Sequence, residues 1–110
     1  MLIVNEDNSI ELTRGDTARL AVSLAQEDGT EYEVQPGDIL VLSLKKSVND
    51  AVAAMQKTIS GSNIFHIQPA DTAGLAFGKY KYDVQLTTEA GEVYTVIAPA
   101  AFVIATEVTT

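Results

Sequence analysis

The 110-residue chain has no cysteine, no tryptophan, one histidine, three prolines, and only seven Lys+Arg against fifteen Asp+Glu. Each shortage removes a class of function. Without cysteine there is no disulfide framework, no thiolate nucleophile and no Cys-ligated zinc or iron–sulfur centre. Without tryptophan, a stacking platform for sugars is poorly supplied. The net charge of −8 disfavours nonspecific contact with nucleic acid, because phosphates need cationic partners. No window approaches the ~20 apolar residues of a membrane span. The start, Met1 to Asn8, lacks a cationic segment and its apolar run ends after Val4, so no signal peptide is expected. Neither Gly-x-Gly-x-x-Gly nor Gly-Lys-Ser/Thr occurs, which removes the common phosphate loops.

What is present points to one packed domain, residues 1–110. The composition is 46% hydrophobic and 20% charged, outside the range of disordered chains. A domain of this size buries roughly 60–70% of its unfolded surface, enough for one core without staples. The apolar residues alternate in short segments. Ile10 and Leu12 alternate with Ser9, Glu11 and Thr13. Ala18, Leu20, Val22 and Leu24 share one face of a strand over 17–24. Asp28-Gly29 marks a hairpin turn answered by a short strand over 30–34. Ile39 to Lys46 carries Leu40, Leu42 and Leu44 on one face and Ile39 and Val41 on the other, as a central strand covered on most of both sides would. Further strands are expected over 55–59, 64–68, 80–86, 93–98 and 101–108, with Pro99 marking a break or an edge bulge. Residues 47–54 read as a loop or a single helical turn. Turn signals every 8–12 residues suit a β-sandwich.

The stretch Pro69–Leu86 organises this pattern. Pro69 fixes its own φ, and Asp71 and Thr72 can cap a short helical turn near residues 69–75. Leu75 can tuck that turn onto the core, and Gly78 releases the chain into a strand. There Tyr80, Tyr82, Val84 and Leu86 fall on one face, with Lys79, Lys81, Asp83 and Gln85 on the other. A capped corner followed by an inward tyrosine is the layout of the tyrosine corner in immunoglobulin-like domains. The expected fold is therefore all-β: an immunoglobulin-like two-sheet sandwich of seven to nine strands. The structural corner is Asp71, Thr72, Leu75, Gly78 and Tyr80, with the Tyr80 hydroxyl bonded to nearby backbone.

Candidate chemistry is sparse. Arg14-Gly15-Asp16 matches an integrin-binding tripeptide, but three common residues at a turn are accounted for by turn chemistry alone. His66 is expected on an outer strand face opposite Phe65 and Ile67, with no nucleophile motif to pair with it. The carboxylates Glu6-Asp7, Glu27-Asp28 with Glu31, and Asp38 could pool for Ca²⁺, which takes six to eight oxygens. No dense Asp pattern supports this, and each sits where a turn favours Asp anyway. No catalytic residue, cofactor or metal is assigned. Val41, Val96 and Val103, with Tyr94, are a possible interaction face on the outer side of the sheets.

The pattern Leu12-Thr13-Arg14-Gly15-Asp16-Thr17, Gly37-Asp38, Pro69-x-Asp71-Thr72-x-x-Leu75, Gly78-x-Tyr80-x-Tyr82-Asp83-Val84, Gly91-Glu92-Val93-Tyr94 and Phe102-x-Ile104 resembles small immunoglobulin-like domains of tailed phages and prophages of Firmicutes. These include the N-terminal domain of the upper baseplate protein family. The resemblance implies a non-enzymatic structural protein of a virion, in the baseplate, the tail or as a head accessory. It would work through contacts with other virion proteins or by self-association, and would be found in virions and in the bacterial host cytoplasm during assembly. The alternative is a carbohydrate- or cell-surface-binding module, with exposed Tyr32 or Tyr94 beside carboxylates.

Overall fold

A computed structural model describes residues 2–4, 8–26, 28–47 and 49–106, with the side chains of 2–4 and 98 left aside. The expected positions Glu6, Asp7, Glu27 and Val108 lie outside the described residues. Eight strands and one helix are found among the described residues: β1 (Leu2–Val4), β2 (Ile10–Thr13), β3 (Ala18–Ala21), β4 (Ile39–Lys45), β5 (Met55–Ser60), β6 (Ile64–Ile67), α1 (Pro69–Ala73), β7 (Gly78–Thr87) and β8 (Val93–Ala105). One sheet has the order β1-β2-β8-β7-β4-β5, and the second pairs β3 with β6. The chain crosses between sheets from β2 to β3, from β3 to β4, from β5 to β6, and from β6 through α1 to β7. A sheet ordered β8-β7-β4-β5 facing the β3–β6 pair is the arrangement of an immunoglobulin-like sandwich. All pairings are antiparallel except β2 with β8, which run parallel from Ile10↔Phe102 to Thr13↔Ala105.

The core follows from alternation. Leu40, Leu42 and Leu44 are fully buried, as are Phe65, Ile67, Val84 and Phe102. Tyr80, Tyr82 and Leu86 point the same way, and Leu20, Val22 and Leu24 meet them from the other sheet. Cross-strand register aligns the layers: Tyr80 lies opposite Phe102, which lies opposite Ile10. The Tyr82 ring meets Phe102 edge-on at 5.6 Å with an 80° interplanar angle, a favoured aromatic geometry.

Three expectations change. The strand expected over 30–34 is reduced to one isolated bridge, Ala25↔Glu31. The hairpin itself forms, since Tyr32 N–H donates to Leu24 O and Gln26 N–H to Thr30 O. The ladder stops because Tyr32 turns aside to bond Asp38, and Pro36 has no N–H to extend it. Second, β4 is covered on one face only. Ile39 is 39% exposed and Val41 half-buried, because the two-stranded sheet lies on the Leu40–Leu44 side. Third, residues 93–105 form one strand rather than two. Pro99 sits where the register slips, Tyr82 facing Ala100 while Val84 faces Ile97. A bulge leaves residues unpaired, so a proline costs no ladder bond there.

Candidate functional site

Chemistry-bearing side chains gather at the two ends of a molecule 46 Å long and 26 × 24 Å across. Strand β7 is a convenient ruler. Gly78 begins it at the corner end, and Thr87 closes it at the opposite end, where the loops 22–38, 60–63 and 88–92 come together.

The corner end is built around α1. Pro69 takes its first turn, and the Asp71 carboxylate accepts the Gln68 N–H at 2.7 Å and a Lys57 Nζ–H bond at 2.9 Å. Burial pushes the Asp71 carboxyl up, but these bonds and the lysine charge leave it below its ordinary value. Thr72 does a different job. It is fully buried, and its Oγ1 accepts the Gly15 N–H at 2.9 Å. Arg14 completes the junction: its guanidinium donates to Leu75 O at 3.3 Å and lies 4.0 Å above the Phe77 ring. Arg14-Gly15-Asp16 is thus a turn fastened to the corner, with Gly15 at φ 86°. Leu75 is half-buried against the core.

Tyr80 is 4% exposed, and its hydroxyl donates to Ala76 O at 2.8 Å. Lys46 Nζ lies 4.5 Å from the centre of its ring. The hydroxyl bond reaches four residues upstream, as in a tyrosine corner. Tyr82 fills the place of the second cysteine of antibody domains, and its own hydroxyl donates to Asn8 O. Tyr80→Phe is expected to lower unfolding free energy by about 1 kcal/mol, the usual net value of one hydrogen bond. A urea titration reads this directly, and an unchanged midpoint would remove the bond from the account.

At the far end, Tyr32 and Tyr94 line one open depression of about 900 Å³ with Ser23, Asp28, Thr88 and Glu92. The Tyr94 hydroxyl donates to Glu92 at 2.6 Å. The Tyr32 hydroxyl donates to the buried Asp38 carboxylate at 2.5 Å, and the Gln35 N–H donates to the same oxygen at 2.9 Å. These bonds hold the Asp38 carboxyl below its usual value of about 3.8 and push the Tyr32 hydroxyl up. Asp28 accepts both the N–H and the hydroxyl of Thr30, which lowers its pKa. Of the carboxylates read as turn residues, Asp28 and Asp38 therefore close turns. Among the described residues no group of three or more His, Asp or Glu could hold a metal ion.

Asp38 makes a pH prediction. Its folded pKa lies below the unfolded value, so its stabilisation is present above about pH 3.8 and is lost as pH falls through the folded value. The stability difference between wild type and Asp38→Asn should be largest at neutral pH and shrink steadily below pH ~4. Urea midpoints measured from neutral to acid pH check this, and a difference independent of pH would contradict it.

Val41, Tyr94, Val96 and Val103 do not share one surface. Val41 pairs with Gln85 and Val103 with Lys79 on the outer face. Six residues of β7 separate those rows, roughly 20 Å at the rise of a strand. Val96 sits at the second register slip of β8 and packs against the core. Tyr94 pairs with the inward Leu86 and remains 49% exposed because it lies past the end of the second sheet. His66 is exposed on β6 opposite Arg19.

Sequence reasoning missed a second grouping. Ile39 and Val93 flank Thr87 in one cross-strand row on the outer face, 39% and 58% exposed. Val41 follows two residues along. The signal was the odd-numbered apolar set of β4, read above as evidence of two-sided cover. Comparison with protein-family models, curated proteins and solved structures finds no match to this chain.

Proposed function

We propose that the chain is a non-enzymatic assembly domain that works by protein–protein contact, as a building part of a tailed-phage or prophage virion. The observation that supports contact rather than chemistry is the distribution of exposed large apolar side chains. Ile39, Ile64, Val93 and Tyr94 stand at the loop end, and Phe77 and Val52 at the corner end. Each group is rimmed by charge, the usual anatomy of a docking surface. The virion setting rests on the sequence resemblance. It is tested by purifying particles from the bacterium that carries this gene and quantifying the chain by mass spectrometry. A fixed copy number per particle is expected, and particles lacking the chain would overturn the setting.

A second reading has one observation in its favour. Tyr32 and Tyr94, expected from sequence to flank any saccharide site, line the same depression beside Asp28 and Glu92. Ring faces with carboxylates and hydroxyls suit a sugar ring. A glycan array run with and without Ca²⁺ decides it. Binding weakened by Tyr94→Ala would support a saccharide site, and a blank array would end the idea.

A further inference from the structure

The seven cations of the chain are Arg14, Arg19, Lys45, Lys46, Lys57, Lys79 and Lys81, so residues 20–44 and 82–110 contain no Lys or Arg at all. The fold turns this sequence bias into a spatial one. Lys45 lies directly opposite Lys81 on adjacent strands, and Lys79 follows on the same outer face two residues nearer the corner. Lys46 continues from Lys45 and reaches over the Tyr80 ring. Arg14 covers Phe77 beside them. Like charges facing each other across a ladder are unfavourable, and among the described residues no salt bridge relieves Lys45, Lys79 or Lys81. The acidic groups nearby are Glu11, Asp16, Asp50, Asp71 and Asp83. Asp71 pairs with Lys57, whereas Asp50, which accepts the Ser47 N–H, and Asp83, two residues from Lys81 on the same face of β7, keep their charge.

The opposite end has the reverse sign. Asp28, Glu31, Glu33, Glu89 and Glu92 are all exposed there, on loops that hold no cation. They share that end with the exposed Ile39, Val93 and Tyr94, as Arg14 and Lys79 share the corner end with Phe77. The corner end carries the lysine cluster with Arg14 over Phe77, and the loop end carries Ile39, Val93 and Tyr94 among carboxylates without a cation.

We propose that a second copy of this chain docks head to tail, its acidic loop end against the basic corner end of the first. This rests on the assembly reading above and names the partner. Such a contact uses two different surfaces of the same molecule, so it builds a closed ring or an open filament rather than an isologous pair. An end face of 26 × 24 Å offers roughly 600 Å² to each partner, short of the ~800 Å² of a standard stable interface. The contact is therefore weak singly and effective among many copies. The net charge of −8 does not forbid it. At physiological salt the screening length is about 8 Å, so groups at the contact outweigh charges at the far end of a 46 Å molecule.

Sedimentation velocity over a concentration series, at ~0.15 M and ~1 M NaCl, tests this. Wild type is expected to associate beyond dimer at the lower salt and to be monomeric at the higher. Two surface variants locate the contact: Lys45→Gln with Lys81→Gln, and Glu89→Gln with Glu92→Gln. Each alone should be monomeric with an unchanged thermal melt, and their 1:1 mixture should stop at a heterodimer. Wild type monomeric at all concentrations, association indifferent to salt, or either variant associating like wild type would overturn the proposal. A monomeric chain that is still a fixed component of particles defeats the head-to-tail contact alone. A self-associating chain missing from particles defeats the virion setting alone.

Discussion

Phe102→Ala is expected to lower unfolding free energy by about 3–5 kcal/mol, the usual cost of truncating a buried aromatic to alanine. Phe102 is fully buried and sits between Ile10 and Tyr80 in register, with the Tyr82 ring edge-on to it. Its loss removes the ring's own burial and opens a void under three strands at once. The neighbours cannot close that void cheaply. The Tyr80 and Tyr82 hydroxyls are each tied to a backbone carbonyl, so inward collapse of either ring would break a hydrogen bond. A domain of this size has a total stability of roughly 5–15 kcal/mol, so the variant should be marginal. At about 4 °C per kcal/mol the melting temperature should drop by more than ten degrees. A calorimetric scan showing a drop of only a few degrees would mean the core repacks, and would contradict the layered account. Phe102→Leu, which keeps most of the volume, should recover much of the loss.

The second large effect is expected at Gly78. Its φ is 134°, a backbone region that costs a residue with a Cβ about 1–3 kcal/mol. A Cβ there would also stand 3.4 Å from Lys46 Nζ, but that lysine end is free to move, so strain and not crowding sets the cost. Gly78 lies between the corner and the first inward residue of β7, opposite Ile104. Gly78→Ala should destabilise by that amount. It should also weaken the Tyr80 hydroxyl bond to Ala76, because both span the same five residues. A double-mutant cycle with Tyr80→Phe distinguishes coupling from simple addition. Additive losses would show that the corner closes independently of Gly78.

The bipolar charge arrangement explains how an acidic chain can carry a cationic surface. Strand reversal places Lys79 and Lys81 at the start of β7 and Lys45 at the end of β4, so an antiparallel pair brings them side by side. The same reversal leaves the cation-free loops 22–38 and 88–92 at the other end. Composition reports only the sum, −8, and the sum conceals the separation.

The alternation of Tyr80, Tyr82, Val84 and Leu86, of Leu40, Leu42 and Leu44, and of Ala18 through Leu24 determined by itself which face of each strand is buried. A period-two pattern admits one inward set once a core exists. The corner was legible for the same local reason, since Pro69, Asp71 and Gly78 act within a few residues of their own positions. The partner of Thr72 was not legible. Its hydroxyl looks like a local cap in sequence, yet it accepts a hydrogen bond from Gly15, fifty-seven residues away. Nor could periodicity tell one-sided from two-sided cover of β4, because Ile39 and Val41 are apolar in either case. That depended on the second sheet having only two strands among the described residues. The meeting of Tyr32 with Tyr94, and of Lys45 with Lys81, likewise belongs to the tertiary structure. Local sequence sets which way a side chain points along its own strand, whereas strand order and register set which distant side chain it meets.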